Sequence, residues 1–258
     1  MQIFVTIDKK TKKLSKEDNV VNLAKMNKWE LGKVFDFSVL PKNTTEQDII
    51  DGCALAKKYN CAAFYAATNY WIPTMARELE GTDIHIGVGL DFPFGANTAY
   101  MKAKETEEAV RLGATALDIV MNIGALRSGK LADVRQELHD FKEAAQGHLT
   151  KCILEVNFLT DEEIDTAARM VAEAGIDYVK TSSGQFEGPT LEQYLIMKKA
   201  VEGTPCKTKV AGVKFPRPQN AYAFILAGAD LIGTRAAPQI IDALDTMREI
   251  GMVPPYQP

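Results

Sequence analysis

From Lys33 onward, short apolar runs with strand character alternate with capped stretches of helical period. The strand-like runs are Val34 to Ser38, Cys61 to Ala66, Ile84 to Leu90, Thr115 to Asn122, Leu149 to Val156, Ile176 to Thr181, Cys206 to Ala211 and Leu231 to Thr234. The helical stretches run from Thr44 or Thr45 to about Tyr59, Pro73 to Leu79, Asn97 to Leu112, Leu131 to Ala145, Thr160 to Ala174, Thr190 to Val201, Pro218 to Ala227 and Pro238 to Ile250. Strands that alternate with helices pair in parallel through right-handed crossovers, because each helix carries the chain back to the starting edge. Eight such units over about 220 residues match the size of a (β/α)8 barrel, the TIM-barrel fold. An open, doubly wound sheet is the rival architecture, but it collects its ligand at a single switch point. Here polar residues recur at the ends of many strands, as Asp36, Asp91, Asp118, Glu155, Lys180 and Lys209. A closed barrel brings all those ends around one mouth.

Residues 1–32 precede the regular pattern as an N-terminal extension, 33–250 form the barrel, and 251–258 form a proline-rich tail. In the extension, Ser15 with Asp18 three residues on predicts a capped helix carrying Val20, Val21, Leu23, Ala24 and Met26. The tail, Tyr256 included, has little means of packing as a helix and is expected to fray.

Net charge is -4, so no basic field argues for nucleic acid or an anionic membrane surface, and a small molecule is the expected partner. No run approaches the ~18 apolar residues of a membrane helix and no leader pattern is evident, so the protein is expected in the cytoplasm. The four cysteines lack CxxC spacing, which suits reduced core thiols. The three histidines, His85, His139 and His148, lack ligand spacing, so no metal is expected, and Gly87-Val88-Gly89 is too short for a dinucleotide fingerprint.

Chemistry concentrates in Asp177-Tyr178-Val179-Lys180-Thr181-Ser182-Ser183-Gly184, where a lysine sits inside an apolar, strand-like run. Dehydrating an ammonium costs on the order of several kcal/mol unless it is paired or gives up its proton, so a buried lysine usually has a task. A second lies in Lys207-Thr208-Lys209-Val210-Ala211-Gly212, and a carboxylate is embedded in Ala116-Leu117-Asp118-Ile119-Val120-Met121. Two lysines and an aspartate on separate strands make a candidate amine-catalysis site. An amine attacks a carbonyl only when unprotonated, and burial together with a neighbouring cation lowers a lysine's pKa toward that state. Lys180 is the expected nucleophile, Lys209 the neighbouring cation, and Asp118 the group that moves protons.

The segment from Leu117 to Leu126, the Leu154-Glu155 and Leu159-Thr160-Asp161-Glu162-Glu163 pieces, and Val179 to Gly184 resemble the deoxyribose-phosphate aldolase family. Asp36 and Asp91-Phe92-Pro93-Phe94-Gly95 extend the resemblance, which spans about Val34 to Ile241. It implies a class I aldolase on a (β/α)8 barrel that joins acetaldehyde to glyceraldehyde 3-phosphate, or cleaves 2-deoxyribose 5-phosphate, through a lysine Schiff base and without a cofactor. It also implies a homo-oligomer. Substrate contacts are implied at Asp36, Thr181, Ser183, Gly184, Gly212, Lys214, Gly233 and Arg235.

The chain departs from the family where substrate phosphate is held. After strand seven, Gly212-Val213-Lys214-Phe215-Pro216 stands in place of paired glycines and an arginine; after strand eight a serine-rich continuation has become Arg235-Ala236-Ala237-Pro238. Phe37 follows Asp36 where a histidine is usual, and Val156-Asn157 replaces a Thr-Gly pair. Valine limits close backbone approach and proline lacks an N–H donor, whereas Arg235 and Lys214 offer charge to an anion. Alternative readings are therefore an unphosphorylated or carboxylated substrate for the same chemistry, or a barrel that binds a sugar phosphate without turnover.

Overall fold

The computed structural model describes residues 21–257. A 3-10 turn, Leu23–Lys25, leads through α1 (Lys28–Leu31) and a second turn, Gly32–Val34, into β1 (Phe35–Val39). Then come α2 (Glu46–Lys58), β2 (Ala63–Ala66), α3 (Ile72–Glu78), β3 (His85–Leu90), α4 (Ala99–Leu112), β4 (Ala116–Val120), α5 (Ile123–Arg127), α6 (Leu131–Ala144) and β5 (Leu149–Ile153). The chain continues with α7 (Asp161–Glu173), β6 (Tyr178–Lys180), α8 (Leu191–Val201), β7 (Lys207–Ala211), α9 (Arg217–Leu226), β8 (Leu231–Thr234), α10 (Ala237–Asp242) and α11 (Leu244–Glu249). β1 to β8 pair in sequence order, all in parallel, and β8 closes onto β1. The fold is a (β/α)8 barrel.

Strand side chains alternate, and here the two faces differ in kind. One set, including Phe35, Phe64, Leu117, Val179 and Ile232, packs with the helices into one continuous apolar layer. Barrel interiors are ordinarily filled by stacked branched aliphatics. In this one the apolar filling is a small cluster of Ala63, Tyr65 and Ala116, with Leu40 and Leu149 against it. Alongside it the interior carries charge, as Asp36, Asp118, Lys151, Lys180 and Lys209, all nearly inaccessible to solvent. Gly87 makes room for the Tyr65 ring, since a Cβ there would lie 2.5 Å from it.

Helix entries follow the capping chemistry of the sequence. Thr45, Thr160 and Thr190 each take an N3 backbone N–H while Asp48, Glu163 and Gln193 reach back to the cap, closing reciprocal boxes on α2, α7 and α8. α4 ends at Gly113, whose φ of 107° is the left-handed stop that glycine adopts at least cost.

Four expectations change. The N-terminal helix begins outside the described residues, and its described part is not a continuous helix: Asn22 caps the 3-10 turn and Asn27 caps α1, accepting from Trp29 N and Glu30 N. Asparagine side chains compete for backbone donors and so favour caps over helix interiors. β5 stops at Ile153, because Glu155 turns into the left-handed region at φ 53° and opens a 3-10 turn, Val156–Phe158. Asn122, expected to end the fourth strand, instead caps α5 by accepting from Ala125 N, and β4 stops at Val120. The last helical stretch is broken at Ala243 into α10 and α11.

The tail is also docked rather than frayed. Gln257 N donates to Ala24 O at 2.6 Å, Val253 is buried, and the Arg248 guanidinium donates to Leu23 O and Met26 O at 3.0 and 2.7 Å. Tyr256 lies over that guanidinium, 5.2 Å from ring centroid to Cζ. Since Gly32–Val34 feeds the start of β1, the first described residues and the tail docked on them lie under the amino ends of the strands, away from the charged interior's mouth. All four cysteines are free and buried. Among the described residues no helix is long and apolar enough to cross a membrane.

Candidate active site

Strand register sets the charged cluster. Asp118 on β4 pairs laterally with Lys151 on β5, and Lys180 on β6 with Lys209 on β7, so four side chains from adjacent strands enter the interior at neighbouring levels. Asp118 Oδ2 accepts from Lys180 Nζ at 2.8 Å and from Lys209 Nζ at 2.9 Å. Its other oxygen accepts from the Tyr65 hydroxyl at 2.7 Å. Asp36 Oδ2 faces Lys209 Nζ at 2.6 Å and accepts from Lys151 Nζ at 2.9 Å. Lys151 also donates to Tyr65 Oη at 2.6 Å, and Lys209 Nζ lies 4.2 Å from the Tyr65 ring centroid, within cation–π range. Gly233 leaves room for the Lys209 stem: a Cβ there would lie 2.9 Å from Lys209 Cε.

Three lysines face two carboxylates, so the cluster carries one positive charge too many unless one lysine gives up a proton. Burial pushes the Asp118 carboxyl up, but Lys180, Lys209 and Lys151 outweigh it and hold that group far below the carboxylate range. Asp36 is likewise lowered, burial being overcome by Lys151 and Lys209. For Lys209 the balance runs the other way: burial lowers its pKa, but Asp118 and Asp36 together raise it, so it stays protonated. Lys180 has only Asp118 beside it. Burial, with Lys209 and Lys151 as like charges, brings it down to about 8. Lys151 is lowered as well, chiefly by burial.

Access separates the two softened lysines. A cavity of about 30 Å³, room for one small group, is lined by Lys180 and Lys209 with Asp118, Tyr65, Asp36 and Ser183, and Lys151 does not reach it. It opens toward a cleft of about 580 Å³ at the carboxyl ends of the strands, with which it shares Ser38, Leu40, Ser183 and Gly233. An amine at the floor of a cleft, partly deprotonated near neutral pH and beside a fixed carboxylate, can add to a carbonyl carbon and exchange protons as it does so.

The outer cleft gathers most of the expected contacts. Ser183, Gly184, Gly212, Lys214, Gly233 and Arg235 all line it. Gly184 and Gly212 hold φ of 82° and 75°, so the β6 and β7 loops turn inward where a side chain would be strained. Ser183 is fixed from below, its N–H donating to both Glu155 oxygens at 3.1 Å. Lys214 is at the rim and paired with Glu187 at 2.9 Å. Arg235 is exposed at the mouth.

Two expected contacts lie elsewhere. Thr181 is fully buried and spans β6 and β7, donating to Ala211 O at 3.2 Å and accepting from Ala211 N at 3.1 Å; its hydroxyl is spent on the sheet and lines neither cavity. Asp36 lines the inner cavity and not the outer cleft, because its strand position points it across the barrel at Lys151 and Lys209. Of the other polar strand ends, Asp91 organises its own loop, accepting from Asn97 N and Nδ2 at 2.8 and 2.9 Å.

Three residues escaped the sequence reading. Lys151 carried the same signal as Lys180 and Lys209, a lysine within an apolar strand, in Leu149-Thr150-Lys151-Cys152-Ile153. Tyr65 gave no comparable signal, since a tyrosine in a strand is ordinarily a packing residue. Arg217 joins Lys214 and Arg235 in the outer cleft from the first position of α9, a placement that depends on how the β7 loop folds.

A closed parallel barrel whose interior holds a softened lysine beside a carboxylate defines a class of protein: barrels equipped for amine catalysis on carbonyl compounds. The chain belongs to the DeoC/LacD family of aldolases, whose family model matches residues 31–242. It is 38% identical over 213 residues to the deoxyribose-phosphate aldolase of Streptococcus sanguinis, covering 82% of this chain and 96% of that one. It is 36% identical over 217 residues to the Brevibacillus brevis deoxyribose-phosphate aldolase, covering 84% and 97%. The tetrameric deoxyribose phosphate aldolase structure from Aeropyrum pernix superposes with a TM-score of 0.77 at 23% identity, covering 86% of this chain and 93% of that one, a likeness of fold.

Proposed function

We propose that the protein reversibly cleaves 2-deoxyribose 5-phosphate to acetaldehyde and glyceraldehyde 3-phosphate through a Schiff base on Lys180. The observation that carries this reading is the position of Lys180: a lysine with its pKa lowered to about 8 that also lines the small cavity at the cleft floor. The names of the relatives supply the substrate.

The neutral Lys180 amine attacks the aldehyde carbon C1, and the carbonyl oxygen takes up a proton to give a carbinolamine. Asp118, within 2.8 Å of Lys180, takes the proton that the attacking nitrogen sheds and passes it to the carbinolamine hydroxyl, which leaves as water. The resulting iminium draws electrons from the C2–C3 bond. As the C3 hydroxyl loses its proton, that bond breaks, glyceraldehyde 3-phosphate departs and an enamine remains. Protonation of the enamine at C2 and hydrolysis of the iminium release acetaldehyde and restore the amine. Lys209 keeps the site cationic throughout, which disfavours reprotonation of Lys180. Tyr65, through its bond to Asp118 Oδ1, fixes the carboxylate's orientation.

Ser183, Gly184, Gly212 and Gly233 form the cleft wall that receives the sugar, with Arg235, Arg217 and Lys214 as cations for the phosphate. Four buried free cysteines suit a reducing, cytoplasmic setting. Assembly into a homo-oligomer is in keeping with the tetrameric Aeropyrum pernix structure, and light scattering on the purified protein tests it.

Borohydride reduction with acetaldehyde, 2-deoxyribose 5-phosphate and 2-deoxyribose in parallel, followed by peptide mass spectrometry, tests the central reading. An adduct on Lys180 with the first two supports it. Equal trapping by the unphosphorylated sugar moves the substrate assignment, and no adduct on Lys180 with any of the three overturns the mechanism.

A further inference from the structure

The phosphate-facing rim is built from side chains, and it contains its own anion. Lys214 from the β7 loop, Arg217 at the start of α9 and Arg235 after β8 line the outer cleft together. Glu187, from the loop after β6, lines the same cleft and is bonded to Lys214 at 2.9 Å. Among the described residues neither arginine has a carboxylate within 4.0 Å, so Glu187 is the one acidic partner of this rim. With Glu187 in place the group carries a net charge of two, against a phosphate monoester of about −1.5 to −2 at neutral pH. The Lys214–Glu187 contact is solvent-exposed, at 46% and 72% for the two side chains, so it is weak enough for a ligand to break.

We propose that Glu187 is a built-in competitor for the substrate's anionic group, occupying Lys214 in the empty cleft and giving it up when a dianion binds between Lys214, Arg217 and Arg235. This inference rests on the reading of the cleft as a sugar-phosphate site and adds a residue that sets how tightly the anion is held. A neutral or weakly charged ligand does not displace Glu187, so the rim stays internally paired and contributes nothing to binding it. A dianion exchanges one carboxylate contact on one cation for charge-assisted bonds to three, and arginine's paired donors match its oxygens. The displaced Glu187 returns to water at little cost, because it is largely exposed already.

The test is the affinity of glycerol 3-phosphate, which carries the phosphate but no aldehyde, measured by titration calorimetry on the full-length protein and on E187Q and R217A. E187Q removes the competing charge and keeps the shape, so the dissociation constant is expected to fall about 1.5- to 5-fold, the range set by an exposed ion pair. R217A is expected to raise it about tenfold or more, and the difference between wild type and E187Q is expected to shrink as salt is added. An unchanged or weakened affinity in E187Q overturns the proposal, as does an equal gain for uncharged glycerol. Because the titration involves no carbonyl, its outcome is independent of the chemistry. Trapping of acetaldehyde on Lys180 with no effect of E187Q sinks this inference alone, while an intact E187Q effect without trapping sinks the aldolase reading and leaves the anion site standing.

Discussion

Replacing Lys209 by methionine removes the cation nearest Lys180 while keeping an unbranched stem of similar length. Lys180 and Lys209 lie 2.8 and 2.9 Å from the same Asp118 oxygen, so their nitrogens are at most 5.7 Å apart. At that separation two unit charges repel by about 3 kcal/mol with an effective dielectric of about 20, equivalent to a pKa change of about 2. The Lys180 pKa should therefore rise from about 8 to about 10. The neutral amine at pH 7 falls from about 9% to about 0.1% of the population, a loss of about a hundredfold. The sign follows from the proton count: the active form is the deprotonated one, so raising the pH through the new pKa restores activity and lowering it does not. The fold tolerates the change because Lys151 and Lys180 still balance Asp36 and Asp118. The assay is kcat/KM for cleavage between pH 6 and 10.5. Wild type should rise to a plateau above about pH 8, and K209M should show the same limb displaced upward. Activity lowered by one factor at every pH, with the limb in place, would refute the tuning role and leave Lys209 as a proton donor.

Tyr65→Phe keeps the ring but strips Lys151 of one acceptor and Asp118 of one donor, so unfolding in urea should show a loss of about 1–3 kcal/mol, and borohydride trapping on Lys180 should slow without changing site. Lys102 is a structural counterpart of the lysines in the barrel interior, buried with bonds to Gly95 O, Val120 O and Glu137 at 2.8, 2.8 and 2.7 Å. Lys102→Met should cost about 3–5 kcal/mol by leaving Glu137 unpaired; a stability change below about 1 kcal/mol contradicts that. Arg235→Ala should raise KM for 2-deoxyribose 5-phosphate several-fold with a smaller effect on 2-deoxyribose, and equal effects on both would remove Arg235 from the anion site.

Strand-helix alternation from Lys33 onward fixed a parallel α/β sheet, and the polar residues at the ends of many strands, with the family resemblance, favoured the closed barrel over an open doubly wound sheet. Lys180, Lys209 and Asp118 were readable for a related reason: a charge within an apolar strand is costly unless it is paired or put to use, so its mere presence marks it. Local competition hid other features. Asn22 capped a 3-10 turn in the described part of the expected N-terminal helix, and Glu155 ended β5 early by turning to meet Ser183 N. Tertiary structure alone decided which lysine is the accessible one. Lys151, Lys180 and Lys209 look alike as strand residues, yet barrel closure gives Lys209 two carboxylates, buries Lys151 between Asp36 and Tyr65, and leaves Lys180 one carboxylate and a cavity. It likewise drew Thr181 into the sheet and brought Arg217 and Glu187 to the rim. A pKa and a binding contact depend on distances between strands far apart in the chain, and those distances exist only once the sheet has closed.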